Sequence, residues 1–231
     1  MEGVTDIMEQ LLENFANAAV LKESLPYLLQ GLAMTVKLCL LVVPLGLAAG
    51  LAVALAGSLG RRWLNWLLIG YVDFFRAFPP LVLLIFVYYA LPMLGVEISS
   101  LAAVIIAFML NTSAYYGEIF RAGIESIGRG QTEAARSTGL TRLQTLACVV
   151  VPQAVRNVLP DLISNTLEVV KLTSLASVVA LPELLRMARL AQGATYNPSP
   201  LFAAALIYFA LLWPIVRLLS RYERRLMVAR G

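Results

Sequence analysis

Few side chains in this sequence could carry out covalent chemistry. There is no histidine among the 231 residues, which removes histidine-based triads, the usual zinc motifs and haem ligation by imidazole. No G-x-x-x-x-G-K-[ST] phosphate loop, G-x-S-x-G elbow or metal-binding helix motif occurs. Two cysteines, Cys39 and Cys148, fall in an apolar run and a polar one and set up no disulfide framework. What remains is charge and polarity where both are expensive. Arg76 precedes the pair Pro79-Pro80 in one apolar run, and Asp161, Asn165, Glu168, Lys171, Thr173 and Ser174 crowd another. Ionisable groups at bilayer depth are costly and usually face a bundle interior or a pathway. Arg76 suits a carboxylate, because a guanidinium matches that group in two-point geometry. Glu168 and Lys171 are three apart and share a helix face; mutual neutralisation and a role at a substrate site are both open readings. Glu118 and Arg121 repeat that spacing, where bracing is the simpler role. Tyr115 and Tyr116 fit a pathway lining or interface aromatics equally.

The elements that must hold these groups are apolar helices. The chain is 60% hydrophobic and 14% charged, with mean hydropathy +0.79, beyond the usual range of a soluble domain. Five segments approach or exceed the roughly 20 apolar residues that cross a bilayer: about 28–56, 64–91, 101–120, 159–181 and 201–219. The expected class is an all-α polytopic membrane protein with five transmembrane helices. Pro44 and Gly46 are places for a bend in the first span. Pro79-Pro80 removes two backbone donors from the second, which is expected bent or broken. A segment from Pro182 to Pro200 is mixed in charge and ends in the turn-rich TYNPSP. The N-terminal residues 1–24 carry apolar positions at Val4, Ile7, Met8, Leu11, Leu12 and Phe15 opposite an acidic face, as in a surface helix near the membrane boundary. They lack the basic start of a cleaved signal peptide. Arginines gather at Arg61-Arg62, over 121–158 and in the basic run RYERRLMVAR that ends in the tail 226–231. The positive-inside bias then puts the N-terminus outside and the C-terminus in the cytoplasm. The basic pI near 9.2 follows from this distribution, and nucleic acid is excluded as a partner.

Between the third and fourth spans lies a long polar stretch, Gly117 to Pro152, GEIFRAGIESIGRGQTEAARSTGLTRLQTLACVVVP. It is expected to be an aqueous excursion. Gln131 to Thr138 suits a short helix, with Glu133 near its start and Arg136 near its end, as the macrodipole prefers. Gly139 fits a left-handed C-terminal position. Thr141 is a candidate N-cap for a second helix that Pro152 interrupts or bends. The product is helix, tight turn, helix, with a small-residue face at Ala134 and Ala135.

Glu133-Ala134-Ala135, Gly139 four places after Ala135, and Val149-Val150-Val151-Pro152 after nine more residues resemble the EAA loop of ATP-binding-cassette (ABC) importer permeases. That pattern is EAA, three residues, G, nine residues, then I-x-L-P; Val149 and Val151 replace Ile and Leu. The likeness extends to Ser24–Leu38, Phe74–Leu84, Ala114–Ala135 and Lys171–Val178, which resemble permeases of the polar amino acid branch. Relatives there carry FRGTP where this chain has Phe75-Arg76-Ala77-Phe78-Pro79, and Asn-Glu where it has Ser164-Asn165. Losing that carboxylate argues mildly against a strongly cationic substrate.

The resemblance implies the permease subunit of a type I, ATP-driven importer for polar amino acids or their derivatives, in a bacterial inner membrane. It implies a transmembrane permease domain over 25–225, with 121–158 as its cytoplasmic coupling loop. It further implies a second permease, identical or similar, two separate ABC ATPase subunits, and a periplasmic or surface solute-binding protein. ATP and Mg would be bound by the ATPase subunits, with no cofactor or metal on this chain. Gly130, Gln131, Glu133, Ala134, Ala135 and Gly139 would sit in a groove on the ATPase. Arg76, Asn165, Glu168, Lys171 and Thr173 are the pathway candidates. A competing reading is a stand-alone secondary transporter or channel for small polar solutes, driven by an ion gradient. A membrane enzyme is disfavoured by the missing catalytic groups.

Overall fold

The computed structural model describes residues 10, 11 and 13–230. Helices dominate, and no strand occurs among the described residues. The first, α1 (Ala18–Gly57), is capped by Asn17, whose side chain accepts from the Ala19 and Val20 N–H groups. Pro26 and Pro44 lie inside it. Most of the expected N-terminal surface helix (Val4, Ile7, Met8 and Leu12 included) lies outside the described residues. The backbone from Ala18 runs through residue 24 without interruption.

The second apolar run is two helices, α2 (Arg62–Ala77) and α3 (Pro80–Met93), bent by 101°. The chemistry of the break is local. In an unbroken helix the Phe75 and Arg76 carbonyls would accept from residues 79 and 80, both prolines without an N–H. Two side chains of α4 (Ser100–Glu125) supply the missing donors. Asn111 Nδ2 donates to the Phe75 carbonyl at 3.0 Å, and the Tyr115 hydroxyl to that of Arg76 at 3.3 Å. Sequence reading offered Tyr115 as pathway lining or interface aromatic; its hydroxyl completes the broken helix.

Helix α4 packs along α1 with side chains small enough for backbone contact. A Cβ added to Gly50 would lie 2.6 Å from Tyr116 Cβ and 2.8 Å from the Gly117 nitrogen. Gly46 faces Thr112 in the same way, so this glycine serves close approach. Without a hydrophobic gradient between helices in lipid, such approach supplies the packing energy. Around the seam lie Leu38, Val42, Leu84, Val104, Phe108 and Tyr116, all buried.

Past α4 come α5 (Arg129–Ser137) and α6 (Arg142–Thr145), then a π segment (Leu146–Val150) that passes into α7 (Val151–Asn157). The fourth expected span is α8 (Leu159–Leu172) followed by a 3₁₀ segment (Thr173–Val179). The mixed-charge segment holds a helix, α9 (Leu184–Thr195), and the last span is α10 (Ser199–Arg230). Four helical stretches are long and apolar enough to cross a membrane, and the bent α2–α3 pair would make a fifth. Chain ends of the bundle are stitched together: Asn17 N–H donates to Ser199 Oγ at 3.1 Å, and Asn197 Nδ2 to the Glu13 carbonyl at 2.9 Å.

Candidate coupling arm and transport path

The polar stretch begins later than its composition indicates. Helix α4 continues to Glu125, so Glu118 and Arg121 stand on it. The projecting arm that follows is built from local hydrogen bonds. Helix α5 ends as Ser137 Oγ donates to the Glu133 carbonyl at 2.9 Å and Thr138 Oγ1 to the Ala135 carbonyl at 2.8 Å. Arg136 Nη1 donates to the Leu140 carbonyl at 3.1 Å. Gly139 then takes φ +88°, a conformation that other residues adopt at a cost. Thr141 and Gln144 form a reciprocal capping box that starts α6.

Of the six residues assigned to the arm, Gly130, Gln131, Glu133, Ala134 and Gly139 are exposed. Ala135 is buried and seats α5 on the chain. Gln153 Nε2 reaches Gln131 Oε1 at 3.4 Å, and Asn157 Nδ2 donates to Ser126 Oγ at 2.9 Å, so the arm is tied at its root. The π segment stands just before Pro152, which cannot donate to the carbonyl four residues back. Wider hydrogen-bonded turns there absorb the missing bond and the ring. A third tie leaves the arm: Arg142 Nη2 donates to the Ser58 carbonyl at 2.8 Å. The arm is thereby joined to the loop between α1 and α2, where a cation suits the carbonyl-rich helix end.

The pathway candidates do not meet in one place. Arg76 lies 4.0 Å from Glu118 and stacks 5.6 Å from the Tyr115 ring centroid. Arg121 is held between Glu118 and Glu125, each at 2.6 Å. Arg76, Glu118, Arg121 and Glu125 line a cavity of about 540 Å³ between α1, α2 and α4, together with Asp73 and Asn65. Lys171 pairs with Glu168 at 2.6 Å on the open face of α8. Lys171 also borders a second cavity, about 460 Å³, with Arg189 and Tyr208 between α8, α9 and α10. Asn165 is half-buried, with its side-chain amide beside the Tyr116 hydroxyl. Thr173 is buried and donates to the Val170 carbonyl at 2.6 Å. It sits inside the bundle, beside Tyr208 of the second cavity.

Glu183 was not legible as a site. It is 0% exposed and caps α9, accepting from the Leu185 and Arg186 N–H groups at 2.8 and 2.7 Å and from the Tyr208 hydroxyl at 3.0 Å. Thr35 of α1 accepts from the Leu184 N–H at 3.1 Å beside it. Burial pushes its carboxyl above the usual range, against the pull of those donors and of Arg189. The only sequence signal was an acid between Leu181-Pro182 and the apolar start of α9.

A bundle of apolar helices with a broken second span and a projecting helix–turn–helix arm defines a class of membrane transport subunit. The chain belongs to the binding-protein-dependent transport system inner membrane component family, whose model matches residues 43–228. Among curated proteins it is 36% identical over 200 residues to the "Probable amino-acid ABC transporter permease protein YckA" of Bacillus subtilis (strain 168), covering 86% of this chain and 88% of that one. It is 34% identical over 204 residues to the "Arginine transport system permease protein ArtQ" of the same strain, covering 87% and 93%. Among solved structures it is similar to a chain from a crystal structure of an amino acid ABC transporter with histidines (TM-score 0.79, 35% identity, 89% of this chain and 96% of that one). The fold is also that of a chain of the MetNI methionine ABC transporter (TM-score 0.72, 20% identity, 87% and 96% covered). The chain is a multi-pass membrane protein and an ABC transporter permease.

Proposed function

We propose that this chain is the non-catalytic permease subunit of a type I ABC importer for polar amino acids, working with a second permease, two ATPase subunits and a solute-binding protein in a bacterial inner membrane. The observation that carries this reading is the exposed arm of α5, the left-handed Gly139 and α6, standing clear of the bundle with Glu133, Ala134 and Gly139 open to a partner. The names of the relatives, among them arginine and glutamine systems, support the substrate class. In this reading the N-terminus is outside and the arm and C-terminus face the cytoplasm. ATP and Mg bind the partner ATPase subunits. Nucleotide-driven closure of those subunits shifts the arm as a rigid body, and the bundle passes between outward-facing and inward-facing arrangements. The arm therefore needs shape and fit, with no chemistry of its own.

Gly139→Pro removes the left-handed turn, and Glu133→Lys reverses charge on the exposed face. Both variants are expected to insert in the membrane at normal levels and to abolish ATP-dependent uptake into vesicles loaded with the partner subunits. Normal uptake by both would overturn the assignment. Uptake driven by an ion gradient, without ATPase subunits, would instead establish the stand-alone transporter.

A further inference from the structure

The corner between α1 and α2 gathers positive charge that nothing on the chain neutralises. Arg61 and Arg62 are exposed and make no ion pair among the described residues. No acid stands between Glu23 and Asp73 in the sequence, nor between Glu133 and Asp161. A third guanidinium arrives from the arm. Arg142 Nη2 reaches the Ser58 carbonyl at 2.8 Å, and a Cβ added to Gly60 would lie 3.3 Å from the same nitrogen. Arg142 thus lies over the backbone next to Arg61, with most of its five donors unspent. Glu125, which lines the first cavity with Ser58, is already held by Arg121 at 2.6 Å.

Beside this charge α2 presents an apolar stripe. Trp63, Trp66, Leu67 and Phe74 recur at helical spacing on one face, and all are exposed, Trp66 by 76%. Leu68 and Val72 turn instead toward the first cavity. Helix α2 also bends 101° away from α3, so with α3 upright in the bundle it runs closer to the membrane plane than to its normal. Its one acid, Asp73, stands ten residues past Trp63, roughly 15 Å along the axis. Tryptophan settles at the headgroup level of a bilayer, and basic side chains beside it there attract anionic lipid.

We propose that this corner binds the phosphodiester of an anionic phospholipid, held by Arg61, Arg62 and Arg142 with Trp63 and Trp66 in the headgroup layer, and that the bound lipid braces the root of the arm. A guanidinium is a planar fork that two phosphate oxygens match. A free anion would satisfy the arginines and leave both indoles in water, whereas a lipid serves both. Arg142 belongs to the arm, and Arg61 and Arg62 to the bundle, so one phosphate shared by all three joins the two bodies. The site is independent of which solute is carried; the bracing rests on the reading of the arm as the coupling element.

The test reads Trp63 and Trp66 directly. The full-length permease carrying Trp213→Phe is placed in phosphatidylcholine vesicles in which a minority of the lipid is brominated, either as phosphatidylglycerol or as phosphatidylcholine. Quenching is expected to favour phosphatidylglycerol by about tenfold at low salt and to lose most of that preference at high salt. Arg61→Gln and Arg62→Gln together should cost about fivefold per arginine. Arg61→Lys with Arg62→Lys should keep most of the preference, which separates lost charge from lost folding. Lys22→Gln, at the other end of α1, should leave it unchanged. Equal quenching by the two lipids with the arginines intact, or a preference that survives in the glutamine pair, would overturn the site. Loss of the preference on adding soluble glycerophosphate would show a site for a free anion and overturn the lipid assignment. A second arm uses the complete transporter with its ATPase subunits and solute-binding protein. Solute moved per ATP hydrolysed is expected to rise severalfold with phosphatidylglycerol content in wild type and to stay level in the glutamine pair. A wild-type ratio indifferent to the lipid would overturn the bracing. Loss of the ATPase subunits on purification of the glutamine pair would show the arginines to be a protein contact and overturn the site. Quenching needs no transport, so its failure is distinct from a failure of the amino acid permease reading.

Discussion

At the scale of single residues, Glu183 shows how burial and capping compete. Its carboxyl has lost water, which favours the protonated form, while the α9 N–H groups, Tyr208 and Arg189 favour the charged one. Burial prevails, so the folded-state pKa lies above the ordinary value near 4.5. For an acid raised on folding, the contribution to stability is full below the unfolded pKa and is lost as pH rises through the folded one. Glu183→Gln keeps an acceptor for the cap but cannot titrate. The melting temperature of the solubilised wild type, measured relative to this variant, is expected to fall as pH is raised above about 4.5. A difference that stays flat with pH would contradict the account. The residues of the arm, Gly139 and Thr141, were legible because each answers to its own neighbours within four positions. Glu183 answers to Thr35 and Tyr208, far away in sequence, and no local pattern announces it.

Among elements, the seam between α1 and α4 and the root of the arm set the mechanics. Gly50 admits the α4 backbone so closely that no neighbour can yield to a side chain, since one of the contacted atoms is the Gly117 nitrogen. Gly50→Leu is expected to cost on the order of 3 kcal/mol, read as a lower midpoint in denaturant titration of the purified protein. Arg142 is the hydrogen-bonded tie from the arm to the α1–α2 loop. Arg142→Gln shortens that reach and removes the charge. Its expected effect is a severalfold drop in solute moved per ATP hydrolysed, with ATP hydrolysis by the partner subunits retained; an unchanged ratio would assign the contact to folding alone. The broken second span could be read from Pro79-Pro80 because the lost donors are a property of those residues. That Asn111 and Tyr115 replace them could not, because the replacement comes from another helix. Helix α9 was hidden for a related reason: the sequence showed only a segment of mixed charge, and the apolar side of this helix packs on α1, far away in the chain.

For the whole molecule, the proposed orientation can be read through one thiol. Cys148 is exposed on the π segment of the arm, whereas Cys39 lies within α1. A membrane-impermeant maleimide is expected to label Cys148 in inside-out vesicles and to leave it unlabelled in right-side-out ones. The reverse pattern would turn the topology over.

The length of α1 has a bearing on the surrounding lipid. Its 40 residues make a rod of about 60 Å, against a hydrocarbon slab of about 30 Å. Even a steep lean of about 40° leaves a stub beyond the oil, and Lys22 and Glu23 near the first turns are suited to stand there. With its far end anchored through Ser58 to Arg142, any surplus must emerge on the opposite surface. Acyl-chain thickness should therefore tune how far this rod leans, making the transporter responsive to the fats in which it is dissolved.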